Sequence, residues 1–234
     1  MSRLPHCLLL DMNDTFMFNA DRFGENEDFS IVYRQLGGQR LAGQVNRIIR
    51  SAYDYLDVRY PDAAFRYCFP SVESALIATS PDLDSDSELQ ILVSTFATHE
   101  LGVIPDAYAN AINQLSKLYT LGLVIDIWSP PPLWQVAFRA ANISESISAI
   151  SFSSDIQTVK PAPEPFTDVL SKLNADTNRT LIVGDSVRRD LGGAIAAGIE
   201  CVLVGGSCDP KALYCCETFL DFAELALTNQ ITMR

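Results

Sequence analysis

Cys7-Leu8-Leu9-Leu10-Asp11-Met12-Asn13-Asp14-Thr15 is the stretch on which the fold turns. A short apolar run bounded by polar residues reads as a strand buried on both faces. A carboxylate at the C-terminal end of such a strand stands at the mouth of an α/β sheet, where ligands bind. Asp11 is that carboxylate. Two residues on, Asn13 stands where acid–base work would need a second one.

Outward from this strand the chain changes character twice. From about residue 18 to 102 it has helical periodicity and no clear strand. The longest segment, 40–60, repeats Val45, Ile48, Ile49, Ala52, Tyr53 and Leu56 at three- and four-residue spacing, and Pro61-Asp62 stops it. Further helices are expected near 72–78 and 87–98. The acidic loop 80–86, with Asp82, Asp84 and Asp86, lies between them, and Ser85 or Asp86 followed by Glu88 suits a negatively charged first turn. From Ile104 onward, helices (105–119, 132–141, 164–173, 190–197) alternate with strands (123–128, 149–153, 180–183, 201–204), and Gly122 is expected to close the connection into the 123–128 strand. That alternation means a parallel sheet covered on both faces. The expected fold is therefore α/β, a Rossmann-like doubly wound parallel core formed by 1–17 and 104–234, with an all-helical cap, 18–103, inserted after the first strand.

Composition narrows the partners. With 17 basic and 29 acidic residues the formal charge is −12, and 48% of the chain is apolar. A nucleic acid or an anionic membrane is disfavoured, because phosphates attract basic surfaces. A small phosphorylated molecule is not, since one local cationic pocket can oppose the global field. No CxxC pair occurs and there are only two histidines, so a zinc site is not expected. Cys7 and Cys201 fall in predicted strands as small core residues. Cys208, Cys215 and Cys216 lie close together and are expected to be unpaired thiols of a reducing compartment. The first apolar run is far too short to span a bilayer and no cleavable signal is seen, so a soluble cytoplasmic protein is the expectation. Oligomeric state has no sequence signature here.

Four strand-end loops carry polar residues: Asp11; Ser129 in Ile127-Trp128-Ser129-Pro130; Lys160 in Val159-Lys160-Pro161; and Asp185 and Asp190 in Gly184-Asp185-Ser186-Val187-Arg188-Arg189-Asp190. Together with Leu191-Gly192-Gly193-Ala194 and Ala197-Gly198-Ile199, they resemble the haloacid dehalogenase superfamily, in the phosphatase-like branch with a helical cap after the first motif. The resemblance covers nearly the whole chain. It implies a hydrolase in which Asp11 is the nucleophile and forms an aspartyl-phosphate, splitting one hard displacement into two easier ones. It implies Mg²⁺, with the Asp11 and Asp185 side chains and the Asn13 main-chain carbonyl as ligands. Asp190 would support the ion from behind or serve as an alternate ligand; its plainer role is charge at a helix N-terminus. Lys160 would offset the charge on Asp11 and the phosphoryl oxygens, and Pro161 biases Lys160 to an extended backbone. Ser129 would donate a hydroxyl to the phosphoryl group, or simply cap the helix that begins at Pro132. Thr15 is a further candidate substrate contact, and so is Arg22.

Two departures stand out. Pro130-Pro131-Pro132 replaces the Asn that commonly follows the hydroxyl residue, removing an amide donor. Asn13 replaces the Asp that protonates the leaving oxygen, and that help is worth ~10²–10⁴ in rate. A slow phosphatase of a small phosphomonoester is therefore expected. The alternatives are an attenuated phosphate- and metal-binding protein and a 2-haloacid (C–X) hydrolase. Asp14, in a position the family normally fills with Gly, is a candidate replacement carboxylate. Arg34, Arg40 and Arg47 are weaker candidate contacts, and His6 and His99 read as structural or hinge residues.

Overall fold

A computed structural model describes residues 4–83 and 85–233; Asp84, in the acidic loop, lies outside the described residues. Six parallel strands form one sheet in the order β3-β2-β1-β4-β5-β6. They are β1 (Cys7–Leu10), β2 (Thr120–Ile125), β3 (Ala149–Phe152), β4 (Thr180–Gly184), β5 (Glu200–Leu203) and β6 (Tyr214–Cys215). β1 lies at the centre, pairing Leu10 with Leu123 of β2 and with Val183 of β4. Strand residues alternate between two cores, as a period of two demands. Leu8, Leu10, Leu123 and Val183 meet Ile112 of α5 (Asp106–Leu115), Phe138 of α6 (Pro132–Ala140) and Phe222 of α10 (Phe219–Leu227). Leu9, Val124 and Ile182 meet Phe166 and Val169 of α8 (Glu164–Leu173) and Ala194 of α9 (Gly192–Ala197).

Between β1 and α5 the chain forms α1 (Ser30–Gln35), α2 (Ala42–Asp57), α3 (Val72–Thr79) and α4 (Asp86–Glu100), with a third core of their own. Val45, Ile48, Ile49, Ala52 and Leu56 form the buried face of α2, and Leu89, Leu92, Val93 and Phe96 lie on that of α4. This core also takes in Val159 and the side of Trp128, both from sheet-end loops. Trp128 packs against Tyr53, Tyr60, Phe69 and Phe96. Backbone bonds Phe69 N–H to Gln157 O (2.9 Å) and Val159 N–H to Arg66 O (3.0 Å) tie the two layers further.

The chain enters and leaves the helical segment at one point. Phe18 and Val103 form an antiparallel bridge, exchanging both backbone hydrogen bonds (2.9 and 2.7 Å). Arg22 then donates to the carbonyls of Asn19 (3.1 Å), Thr98 (2.5 Å) and Leu101 (2.8 Å). Among the described residues, no helix is long and apolar enough to cross a membrane.

Several expectations shift. β2 begins at Thr120 and ends at Ile125, three residues ahead of the expected strand. Gly122 is therefore inside the strand rather than ahead of it. A Cβ there would come within 2.5 Å of Val169 Cγ1 and 2.8 Å of Leu9 Cδ2, so hydrogen at this position lets α8 sit close on the sheet. The helix expected at 190–197 is split into a π-turn, Val187–Leu191, and α9, which Gly198 ends at φ +70°. The short α1, α7 (Ser153–Ile156), β6 and α10 have no counterpart among the expected elements. Cys208 and Cys215 are joined in a disulfide with Cα atoms 5.4 Å apart, correcting the expectation of three unpaired thiols; Cys216 is free and buried.

Val169 is β-branched and cannot swing aside cheaply. Gly122→Ala is expected to destabilise the protein by about 1–3 kcal/mol through overpacking, read as a lower urea midpoint with unchanged slope.

Candidate active site

β1 delivers Asp11 to the carboxyl edge of the sheet, where its backbone N–H bonds Val183 O (2.9 Å). The chain then folds back on itself. The N–H groups of Thr15, Phe16 and Met17 converge on Met12 O, and Asp14 N–H bonds Met17 O. The turn needs a left-handed residue, and Asp14 supplies it at φ +57°; a short polar side chain tolerates that conformation, and Gly would do so more freely. The turn aims Thr15 Oγ1 at Asp11 Oδ2 (3.1 Å), so Thr15 orients the carboxylate, and both residues are buried. Asp14 itself is exposed and does not line the pocket that Asp11 faces.

Lys160 is the second fixed point. It is 1% exposed, and its ammonium touches Asp11 Oδ1, Asp190 Oδ1 (2.8 Å) and Val124 O (3.2 Å). Burial alone would lower its pKa, but Asp11 and Asp190 more than reverse that, so the lysine is firmly charged. Its peptide bond to Pro161 is cis. Asp190 is held on its other oxygen by Ser186 N–H (3.0 Å). Gly184 makes room for it, since a Cβ there would lie 2.4 Å from Asp190 Cγ.

Asp11, Asp185 and Asp190 offer carboxylate oxygens that all lie within 4.8 Å of one another. Burial, then Asp11 and Asp190, push the Asp185 carboxyl up to about 7. Burial, then Asp11, also raises Asp190, with Lys160 pulling back. Among the described residues Asp185 Oδ1 has no hydrogen-bond partner, Arg189 Nη2 standing 3.6 Å away, and Asn13 Oδ1 has none either. An all-oxygen donor set with unsatisfied carboxylate capacity fits a hard divalent cation. Asp11 and Asp185 could hold it, with Asn13 close by in sequence and Asp190 behind.

The pocket in front of Asp11 is small, about 50 Å³, and it is lined by Asp11, Asn13, Asp21, Tyr60, Glu100, Asp126, Trp128, Lys160 and Arg189. Of the expected residues, Thr15, Asp185 and Asp190 stand around Asp11 without lining it, and Ser129 and Arg22 are not part of it. Ser129 is fully buried beside the pocket, and its N–H bonds Glu100 Oε2 (3.0 Å). Because β2 ends at Ile125, the residue at its mouth is Asp126, a carboxylate rather than a hydroxyl. Asp126 accepts from Tyr60 Oη (2.6 Å) and from Lys160 N–H (3.1 Å). Arg22 also misses the pocket, because its guanidinium is engaged by the three hinge carbonyls. Neither is Ser129 a helix cap: α6 has no side-chain cap.

Asp21, Tyr60, Glu100, Asp126 and Arg189 escaped the sequence reading. Glu100 ends α4, and its two oxygens accept from Trp128 N–H (2.5 Å) and Ser129 N–H (3.0 Å). Burial, then Asp21, push its carboxyl up to about 7 against the pull of those amides. Arg40 pairs with Glu88 (3.0 Å) and Asp82 (3.2 Å) inside the helical layer. His99 is buried and bonded to Thr95 O (2.8 Å), and His6 is exposed against Arg179.

A family model for haloacid dehalogenase-like hydrolases matches residues 67–204. The chain belongs to that family. It is 29% identical over 126 residues to phosphoglycolate phosphatase of Salmonella typhi, covering 52% of this chain and 50% of that protein. The chain therefore spans about half the length of the phosphoglycolate phosphatases it matches. It is 27% identical over 156 residues to pyrophosphatase PpaX of Bacillus pumilus, covering 64% of this chain and 71% of that one. Among solved structures, 2-haloacid dehalogenase from Pseudomonas syringae shares the fold, with TM-score 0.64 and 18% identity over 97% of this chain and 100% of that one.

Removing the Lys160 charge leaves buried carboxylates unpaired, which costs ~3–5 kcal/mol. Lys160→Met is expected to lose that much at pH 8. A carboxyl whose folded pKa lies above its unfolded value binds its proton more tightly when folded, so stability recovers as pH falls through the folded pKa. The gap to wild type in urea melts should therefore narrow from pH 8 to pH 5.5.

Proposed function

We propose that the chain is a Mg²⁺-dependent hydrolase of a small phosphorylated substrate, working through an aspartyl-phosphate on Asp11, with residues 18–103 acting as its cap. The observation that carries this reading is the convergence of Asp11, Asp185 and Asp190 within 4.8 Å, with the buried Lys160 joining Asp11 to Asp190. The similarity to two phosphate-ester and phosphoanhydride hydrolases supports it.

Electrostatics decide why a cation is needed. Asp11, Asp21, Glu100 and Asp126 line the pocket, against Lys160 and Arg189. A phosphoryl anion entering it meets repulsion of about 4 kcal/mol per charge pair at 4 Å and an effective dielectric of ~20. A bound Mg²⁺ would supply positive charge against the phosphoryl oxygens. Thr15 and Lys160 hold the Asp11 carboxylate oriented for attack on phosphorus. The leaving group departs toward the helical layer, where Asp21, Tyr60 and Glu100 face the site. Asn13 can accept or donate a hydrogen bond there but exchanges no proton at neutral pH.

A second reading, a protein that keeps the pocket for binding alone, is favoured by Asp126 at the mouth of β2, where a hydroxyl donor was expected. A carbon–halogen hydrolase is disfavoured by the intact Gly184-Asp185 pair.

Hydrolysis of p-nitrophenyl phosphate and acetyl phosphate is expected with Mg²⁺, falling at least 100-fold with a chelator or in Asp11→Asn. Metal-independent halide release from a 2-haloacid would sink this reading, and ion binding without turnover would favour the second. Mg²⁺ must also displace the Asp185 proton, so its affinity grows with pH. The rise in Tm on adding Mg²⁺ should be larger at pH 8 than at pH 6, and Asp185→Asn should abolish it.

A further inference from the structure

We propose that Asp21, on the segment that leads from the Phe18–Val103 bridge into the helical layer, carries the leaving-group and water protons that Asn13 cannot, as the acid–base residue of this site. The inference rests on the hydrolytic reading above and deepens it.

Elimination among the pocket carboxylates leads to this residue. Asp11 is held by Lys160 and Thr15. Asp126 is held by Tyr60 and the Lys160 amide, and Glu100 spends both oxygens on the amides of Trp128 and Ser129. Asp185 and Asp190 belong to the ion cluster. The Asp21 carboxylate lines the same pocket as Asp11 and Asn13, is exposed, and is the one pocket-lining carboxylate with no side-chain hydrogen bond or ion pair found among the described residues. A group that must release and recapture a proton needs such a free oxygen, and the second half of the reaction needs access to water.

Its backbone is held for the purpose. Asp21 sits at φ +54°, a conformation uncommon for a residue with a Cβ and found where surrounding structure enforces it. Asp21 N–H bonds Glu100 O (3.2 Å), Phe23 N–H bonds Asp21 O (2.8 Å), and the neighbouring Arg22 guanidinium is locked to three carbonyls. The side chain is thus presented from a rigid turn.

Charged and titratable groups face Asp21 from each neighbouring element: Asp14 from the nucleophile turn, Arg189 from the turn after β4, Tyr53 and Asp57 from α2, and Glu100 from α4. Surrounding protein, then Asp14, push its carboxyl up to about 6 against the pull of Arg189; water at its exposed edge softens that rise. An acid poised near the working pH is the most effective proton donor.

The proton ledger closes. In the first half, an Asp11 oxygen bonds phosphorus as the ester P–O bond breaks, and the Asp21 proton passes to the leaving alkoxide. In the second half, Asp21 takes a proton from water, whose oxygen bonds phosphorus while the Asp11–phosphorus bond breaks. Alcohol and phosphate leave, and both carboxyl groups return to their starting states.

The test compares an alkyl phosphate with acetyl phosphate, whose leaving group needs no proton. Asp21→Asn keeps the shape, and Asn tolerates positive φ at least as well as Asp. In the first turnover, where only the leaving group distinguishes the substrates, it should slow alcohol release from the alkyl phosphate by ~10²–10³-fold, change acetate release from acetyl phosphate less than threefold, and erase the decline in alcohol release as pH rises through about 6; steady-state turnover of both should fall, because water attack uses the same carboxylate. Adding Asn13→Asp to that variant should restore at least tenfold. Equal first-turnover losses on both substrates, or no loss on either while wild type turns over both, would overturn the role of Asp21 alone. If wild type hydrolyses neither substrate and beryllium fluoride does not protect it thermally with Mg²⁺, the hydrolytic reading fails and the role goes with it.

Discussion

One buried ammonium organises the site. Lys160 comes from the loop before α8, far in sequence from Asp11 and thirty residues before Asp190, and joins both carboxylates where almost no solvent reaches. Without it, two anions would face each other in a medium that screens poorly, and the ends of β1 and β4 could not lie side by side with those residues facing one another. With it, Asp11, Asp190 and Lys160 together are still one positive charge short of balance, even before Asp185 is counted. The remaining deficit makes the place attractive to a hard cation. Small residues accommodate the same arrangement, as at Gly184, where any side chain would collide with Asp190.

The helical layer is joined to the sheet more firmly than a simple lid. Trp128 leaves the sheet edge and inserts among Tyr53, Tyr60, Phe69 and Phe96, while Val159 closes the same core from the lysine loop. Tyr60 reaches back to Asp126, and Glu100 grips the loop that carries Trp128. The helical layer and the sheet edge thus share one packed seam. A pocket of about 50 Å³ behind that seam admits only a few waters or a small polar group unless the seam loosens.

Much of this was legible in the chain because the strongest signals are local. The apolar run before Asp11 and the alternation after Ile104 follow from period and spacing, whereas the Gly184–Asp190 motif is legible through its resemblance to a known family. The strand at Thr120–Ile125 was misplaced because Leu121, Leu123, Val124, Ile125 and Ile127 form one apolar stretch, and periodicity alone does not say where pairing stops. That slip put Ser129 at the mouth in place of Asp126. The one signal that could have corrected it was the lone carboxylate interrupting the apolar stretch. Asp21, Tyr60 and Glu100 were hidden for another reason: they reach the pocket only through the packing of the helical layer, which leaves no fixed spacing from Asp11. The Cys208–Cys215 link was likewise a matter of distance across a loop, which sequence separation does not reveal.

The bridge between Phe18 and Val103 makes the helical segment a branch on a single stem. Because its two ends are stapled together, the excursion between β1 and α5 closes on itself at the sheet, and the other ties run through the loops that carry Asp126, Trp128 and Val159. Lineages could therefore lengthen, trim or replace the outgrowth without disturbing the register of six strands, provided each replacement kept a socket for the indole of Trp128. The architecture lets the loops that gather Asp11, Lys160, Asp185 and Asp190 stay constant while the layer that covers them varies.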